Sequence, residues 1–294
     1  MNELKGTGVA LVTPFKPDLT IDFNALEKVL SHLGNQGVDY FVVNGTTGES
    51  ATTTTEEKQQ LLEFVLAHNP KNLPVVFGIG GNNTQQILDT IKATDLSQVA
   101  AVLSVSPYYN KPTQEGLFRH YSVIADASPK PIIMYNVPGR TASNITASTT
   151  LRLATHPNIA AIKEATHDMG QVMAIVKDKP SDFLLISGDD MHTLAMIALG
   201  GNGVISVMAN ALPGPFSALV QHALNQELPQ ARSILWQLMQ LNPLLYVESN
   251  PVGVKQAMKA AGLCEPYVRM PLLKASDDLA YAIKLVMKEN NWIA

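Results

Sequence analysis

Short apolar segments alternate with amphipathic segments along most of the chain. The apolar segments are rich in valine, isoleucine and alanine, and each is short enough to be a buried strand. Eight of them occur, at residues 8–14, 38–45, 74–80, 99–107, 131–138, 159–165, 183–190 and 203–210. Strands that alternate with helices in this way are typical of parallel βα units.

The segment after the second predicted strand shows how the helices are encoded. Thr54 and Glu57 have the spacing of a capping box, which marks the start of a helix. An apolar stripe at helical spacing follows, formed by Leu61, Leu62, Val65 and Leu66. Eight strands with intervening helices favour an α/β fold of the (β/α)8 TIM barrel type over a doubly wound sheet.

Strand patterns stop after about residue 224. Three segments with helical periodicity follow, beginning near residues 228, 253 and 277. The sequence therefore predicts a catalytic barrel over residues 1–224 and a C-terminal helical region over residues 225–294.

Length and composition agree with a large globular fold. A chain of 294 residues is long for a single domain but ordinary for a barrel of this class. Hydrophobic residues make up 46% of the chain and charged residues only 16%. So small a fraction of charged residues indicates extensive buried or subunit-facing surface, and we therefore expect an oligomer.

The charge pattern argues against macromolecular partners. The net charge is -4 and no run of lysine and arginine lies along one face, so nucleic acid is not an expected partner. No apolar stretch reaches the 18 to 20 residues of a membrane span, and the first residues do not resemble a secretory signal. We expect a cytoplasmic protein whose partners are small molecules.

The cysteine and histidine content argues against a metal site. Cys264 is the single cysteine, and the seven histidines show neither H-x-H nor H-E-x-x-H spacing. A zinc-dependent aldolase is therefore not expected. Asp189 and Asp190 follow Gly188 at a strand end and are interpreted as loop-forming residues rather than cation ligands. The sequence predicts no metal and no cofactor.

Polar side chains cluster at the carboxyl ends of the predicted strands, where barrel enzymes build their sites. They are Thr46 and Thr47 after the second strand, Tyr108 and Tyr109 after the fourth, Tyr135 at the end of the fifth and Lys163 at the end of the sixth. We expect these side chains to converge on one mouth of the barrel.

Lys163 and Tyr135 are the central candidates. Lys163 has the same strand parity as Ala161, and Tyr135 the same as Ile133, so the amine and the phenol meet if those faces point inward. A partly desolvated amine has a lowered pKa and can attack a ketone as a neutral nucleophile. The resulting iminium turns a 2-oxo acid into an enamine that can attack an aldehyde. Tyr135 is the candidate general acid and base, with Thr46 relaying the proton through Tyr109.

The loop over residues 44–50 reads "NGTTGES" and precedes a predicted helix. Backbone N–H groups and hydroxyls in such a loop can hold a carboxylate. It lacks the spacing of a phosphate-binding loop, and an ordinary βα turn is the plain alternative. Glu49 is as compatible with a turn-stabilising role as with catalysis, and we do not count it as a site residue.

Five motifs together resemble the dihydrodipicolinate synthase family of the pyruvate-dependent class I aldolases. They are, in order, "GTTGES", "SPYYNKPTQEGL", "YNVPGRT", "IKEAT" and "SGDD". The resemblance covers nearly the whole chain. It implies condensation of pyruvate with L-aspartate 4-semialdehyde, an early step towards diaminopimelate and lysine, in a homotetramer built as a dimer of dimers.

The resemblance also implies roles for single residues. Lys163 would form the Schiff base, Tyr135 would transfer protons, and Thr46 would relay them. Tyr109 would reach into the site of a neighbouring subunit. The substrate-binding residues would be Thr47 and the backbone near Ile205, which line the pyruvate pocket, and Arg140, which anchors the semialdehyde carboxylate.

Arg140 decides between this family and its neighbours. The resemblance implies that N-acetylneuraminate lyase and the 2-keto-3-deoxy sugar acid aldolases share the lysine and tyrosine but generally lack this arginine. Without the motif, Arg140 reads as a surface arginine on a loop. The remaining alternatives are another pyruvate-dependent aldolase and a ligand-binding barrel without turnover.

Feedback inhibition by lysine is expected to be weak or absent. In lysine-regulated relatives, a histidine after "GTTGES" and a glutamate after the third strand hold the effector. The corresponding positions here are Lys58 and Gln86. Lys58 repels a cationic effector, and Gln86 lacks the carboxylate that would pair with its amino group.

Overall fold

Eight parallel strands form a closed barrel in the computed structural model, which describes residues 1–293. Each strand pairs with the next along the chain, and the eighth pairs with the first. The strands are β1 (Gly6–Ala10), β2 (Tyr40–Val43), β3 (Val75–Gly78), β4 (Ala101–Val105), β5 (Ile132–Asn136), β6 (Ile159–Glu164), β7 (Leu184–Ser187) and β8 (Gly203–Ser206). Seven of the predicted apolar segments contain one strand each, and the first, residues 8–14, overlaps β1, which begins two residues earlier at Gly6. The predicted barrel is therefore confirmed.

Helices separate the strands and surround them. Nine lie within the first 224 residues: α1 (Phe23–Gly34), α2 (Thr55–Ala67), α3 (Thr84–Ala93), α4 (Gln114–Ala127), α5 (Pro138–Thr141), α6 (Ala147–Leu153), α7 (Met169–Asp178), α8 (Thr193–Ala198) and α9 (Pro213–Leu224). The predicted capping box is present, because Thr54 accepts a hydrogen bond from the Glu57 backbone and Glu57 accepts one from the Thr54 backbone.

Between residues 225 and 293 lie three α-helices, namely α10 (Leu228–Leu238), α11 (Val252–Ala260) and α12 (Asp277–Glu289). The described residues also form 3-10 turns at Asn2–Leu4, Met208–Asn210 and Pro243–Leu245. A C-terminal helical extension is thus confirmed, while its treatment as a separate domain stays a prediction. None of the helices within residues 1–293 has both the length and the apolar character needed to cross a bilayer.

The strands divide the apolar core into two layers. On β5 and β6, Ile133, Tyr135 and Ala161 belong to the cluster inside the barrel. Their neighbours Met134 and Ile162 belong to the cluster between the strands and the helices. The alternation follows from the pleat of a strand, which sends successive side chains to opposite faces. The parity assumed from the sequence is therefore correct, and Lys163 shares the inward face.

Candidate active site

A cavity of about 830 Å³ opens at the carboxyl ends of the strands. Its wall contains Thr46 from the loop after β2, Tyr135 from β5 and Arg140 from α5. Lys58 of α2 and Gln86 of α3 belong to the same wall. Three of the predicted site residues therefore share one cavity, which lies at the end of the barrel where enzymes of this fold hold their substrates.

Lys163 lies directly beside the cavity wall. It occupies the same register position on β6 as Tyr135 on β5, and its Nζ is 4.3 Å from the centre of the tyrosine ring. The lysine is only 5% exposed. The predicted meeting of amine and phenol on neighbouring strands is present in the structure.

Burial lowers the pKa of Lys163 to about 8. The carboxylate of Asp190 acts in the opposite direction, while the charge of Arg140 lowers the pKa further. The amine has room because residue 188 is glycine: a Cβ there would lie 3.1 Å from Cε of Lys163 and 2.8 Å from the Ala165 side chain. A neutral amine is thus accessible near physiological pH, as nucleophilic attack requires.

The phenol of Tyr135 is protonated at neutral pH. Burial raises the pKa of its phenol to about 12. The Arg140 charge and a hydrogen bond with the Thr46 side chain both lower that pKa, and therefore favour the phenolate without outweighing burial. The phenol consequently holds its proton until a reaction partner takes it, with a hydroxyl and a cation placed to stabilise the anion that remains.

The residues that follow Tyr135 and Lys163 hold their two strands together. Asn136 and Glu164 also share a register position, but they point outward. The Asn136 amide donates to both carboxylate oxygens of Glu164, at 2.9 and 3.0 Å. The Gln171 amide and the Thr166 backbone N–H donate to the same carboxylate, at 3.1 and 2.9 Å. This buried cluster fixes the register that places the amine beside the phenol, and no sequence pattern predicted it.

The loop over residues 44–50 is held by residues from the C-terminal region. Thr47 is buried and accepts a hydrogen bond of 3.0 Å from the Asn250 amide. Glu49 is also buried and pairs with Lys255 of α11, whose Nζ lies 2.6 Å from the carboxylate. The second carboxylate oxygen accepts from the backbone N–H of Arg269. Glu49 therefore stabilises the loop, and the predicted Thr47 is positioned by a residue more than 200 positions away.

Arg140 projects from a single turn of helix directly after β5. Pro138 occupies the first helical turn, where the missing N–H of proline costs no hydrogen bond. The side chain is exposed and belongs to the cavity wall. Among the described charged side chains, no acidic group pairs with it in a salt bridge. A cation in that position is suited to bind a carboxylate that enters the cavity.

Tyr109 and Ile205 do not join this cavity. Tyr109 is 90% exposed in a backbone conformation with φ of +71°, and it does not line the cavity of its own chain. Ile205 is buried inside the barrel on β8, beside Gly8 of β1. The structure therefore brings Thr46, Tyr135 and Arg140 together around Lys163, with Thr47 in the adjoining loop.

Comparison with known proteins gives a consistent result. The model of the dihydrodipicolinate synthetase family matches residues 3–290. The 4-hydroxy-tetrahydrodipicolinate synthase of Cytophaga hutchinsonii is 48% identical over 284 residues, which cover 97% of this chain and 96% of that protein. The enzyme of the same name from Flavobacterium psychrophilum is 47% identical, over 98% of this chain and 99% of the relative.

Solved structures agree over the same length. The dihydrodipicolinate synthase of Aquifex aeolicus superposes with a TM-score of 0.94 at 38% identity, covering 98% of both chains. The dihydrodipicolinate synthase of Cyanidioschyzon merolae, solved with lysine bound, superposes with a TM-score of 0.95 at 34% identity, covering 99% of both chains.

Proposed function

This chain belongs to the dihydrodipicolinate synthetase family, and from that membership we infer that it condenses pyruvate with L-aspartate 4-semialdehyde. The product is 4-hydroxy-tetrahydrodipicolinate, on the route to diaminopimelate and lysine. The observation that carries the proposal is the register pair of Tyr135 and Lys163, which places a buried amine of lowered pKa beside a phenol.

Lys163 begins the reaction as a neutral amine. It attacks the ketone carbon of pyruvate, and loss of one water gives an imine between Nζ and the substrate. The protonated imine draws electrons from the methyl carbon, which loses a proton and becomes the nucleophilic carbon of an enamine. No cofactor is required, because the imine itself serves as the electron sink.

Tyr135 and Thr46 move the protons. The phenol donates towards the oxygen that leaves as water and to the aldehyde oxygen when the new carbon–carbon bond forms. The semialdehyde's own amine then attacks the imine carbon, which closes the ring and releases Lys163. One water is lost overall, so the atoms balance without a further reactant.

The two carboxylates are held at different places. Thr47 and the backbone near Ile205 bind the carboxylate of pyruvate, and Arg140 binds that of the semialdehyde. A charge-assisted hydrogen bond of this kind is stronger than one between neutral groups. The position of Arg140 in the cavity wall supports this assignment. Since the relatives also carry the synthase name, N-acetylneuraminate lyase and sugar acid aldolase activities are not favoured.

Tyr109 completes the site of a neighbouring subunit in a homotetramer. A large aromatic side chain that is 90% exposed is an unusual surface residue, and a subunit contact would bury it. The hydroxyl then relays protons between Thr46 of the neighbouring chain and solvent. We also propose that the enzyme is cytoplasmic.

Borohydride reduction in the presence of pyruvate tests the chemistry. The expected result is a mass increase, of one reduced pyruvate adduct per chain, on the peptide that contains Lys163. A coupled assay that compares aspartate semialdehyde with sugar-derived aldehydes then tests the substrate. A folded protein that pyruvate and borohydride leave unmodified would contradict the proposal.

A further inference from the structure

His167, Asp189 and His192 meet at the mouth of the barrel. His167 lies in the loop after β6, and the other two lie in the loop after β7. Nε2 of His167 is 3.5 Å from one carboxylate oxygen of Asp189, and Nδ1 of His192 is 3.1 Å from the other. The ligand-type atoms of the three side chains all lie within 4.8 Å of one another. We propose that this cluster is a binding site for a divalent transition-metal ion.

The distances suit metal coordination. Metal–ligand bonds of about 2.1 Å place neighbouring ligand atoms about 3.0 Å apart in octahedral geometry and about 3.4 Å apart in tetrahedral geometry. The separation of 3.1 Å, from His192 to one carboxylate oxygen, and that of 3.5 Å, from His167 to the other, are each within about 0.1 Å of one of these values.

The hydrogen bonding of His192 supports the same conclusion. Its Nδ1 is shielded from solvent and has no hydrogen-bond partner among the described residues, although the Asp189 carboxylate is 3.1 Å away. The nitrogen is thus close to the acid without the alignment of a hydrogen bond. A buried polar atom without a partner costs free energy, and an ion between the ring and the acid would remove that cost.

Asp189 is fixed in position as a supported metal ligand would be. One carboxylate oxygen accepts from the backbone N–H groups of Met191 and His192, at 2.9 and 3.1 Å. The backbone carbonyl of Asp189 accepts from the hydroxyls of Ser187 and Thr193, both at 2.8 Å. These bonds leave the second carboxylate oxygen free to bind, and supporting hydrogen bonds of this type orient the ligands of known metal sites.

The charge of the cluster also favours a cation. Within residues 1–293, the salt-bridge partners of Asp189 are the two histidines, with no lysine or arginine among them. Two imidazoles and one carboxylate form the set that Fe²⁺, Co²⁺, Ni²⁺, Cu²⁺ and Zn²⁺ bind, whereas Mg²⁺ and Ca²⁺ prefer oxygen ligands alone. Three protein ligands leave further coordination positions open to solvent.

Titration with Co²⁺ at neutral pH tests this inference on the untagged full-length protein. The expected result is one Co²⁺ per chain, with visible absorption bands from bound Co²⁺ that Zn²⁺ abolishes and excess Mg²⁺ does not. His167→Asn and Asp189→Asn should each weaken binding at least about tenfold, since losing even a supporting hydrogen bond has that effect.

His222→Asn provides a matched control. His222 also lies beside a carboxylate, that of Glu227, but on α9 outside the cluster, so this variant should bind Co²⁺ like the wild type. Pyruvate trapping on Lys163 in the His167→Asn variant verifies that the chain remains folded. Absence of saturable binding in the wild type, or binding that survives both cluster variants, would overturn the proposal. Because binding is read without turnover, the result is independent of the proposed synthase activity.

Discussion

Nζ of Lys163 lies 4.3 Å from the centre of the Tyr135 ring because the two residues occupy one register position on adjacent strands. Neither side chain depends on a flexible loop for its placement. The next register pair, Asn136 and Glu164, is hydrogen-bonded on the outer face of the same strands. A site built on paired strands holds its geometry more accurately than one built on loops.

The rate of imine formation with pyruvate should rise with pH and level off near the lowered pKa of Lys163, at about 8. Below that pH the amine is protonated and cannot attack; above it, nearly all of the amine is neutral. The measurement is borohydride trapping in timed samples across the pH range. A rate still rising tenfold per unit above about pH 9 would indicate an ordinary lysine.

Lys163→Ala and Lys163→Arg should show no trapping while remaining folded, because arginine does not offer a neutral amine.

Arg140→Ala should reduce kcat/KM for aspartate semialdehyde by about one to two orders of magnitude, the value of one charge-assisted hydrogen bond. Pyruvate trapping should change much less, because burial rather than Arg140 is the main cause of the lowered pKa of Lys163. Arg119→Ala, which changes an exposed side chain of α4, is the control and should leave both measurements unchanged. Equal losses for both substrates would point to general damage at the site instead.

Mixed oligomers of Tyr109→Phe and Lys163→Ala chains should regain part of the wild-type activity. Some sites in such oligomers receive an intact lysine from one chain and an intact tyrosine from another. Each variant alone should be nearly inactive, and native mass spectrometry can verify that both chains are present. Complete failure to complement in verified mixed oligomers would show that Tyr109 does not act across the interface.

Free L-lysine should inhibit this enzyme weakly or not at all. Lys58 and Gln86 both lie in the cavity wall. Burial lowers the pKa of Lys58, but a lysine side chain offers no carboxylate to pair with the effector in either protonation state. Two like charges at about 4 Å repel by about 1 kcal/mol in water-like surroundings. The double variant Lys58→His with Gln86→Glu should gain sensitivity to lysine. Strong, saturable inhibition of the wild type in a millimolar titration would show the prediction to be wrong.

Lys255→Met should lower the free energy of unfolding by about 3 to 5 kcal/mol, because it leaves the buried Glu49 carboxylate without its cation. Lys259→Met is a matched control on the same helix. Lys259 pairs with Glu265 at the surface, and losing such a pair costs about 0 to 1 kcal/mol. Urea denaturation at one protein concentration compares them. If the two variants lose similar amounts of unfolding free energy, the buried ion pair stabilises the fold no more than the exposed pair does.

The sequence by itself determined the barrel and predicted several of the residues that the structure brings together at its mouth. Apolar segments of strand length that alternate with helical patterns require parallel βα units, and the period of two along a strand predicted that Tyr135 and Lys163 face inward. Both features depend on residues close together in the chain. The position of Arg140 after β5 was also readable, because the turn begins with proline directly after the strand.

Only the tertiary structure decided which distant residues support the site. Lys255 and Glu49 are 206 positions apart, as Thr47 and Asn250 are 203 apart, and no periodicity connects them. The cluster of His167, Asp189 and His192 likewise has no metal-binding spacing along the chain, because its residues come from two different loops. Such contacts depend on strand register and loop conformation, which are set when the whole barrel closes. Local patterns of polarity carry no information about them.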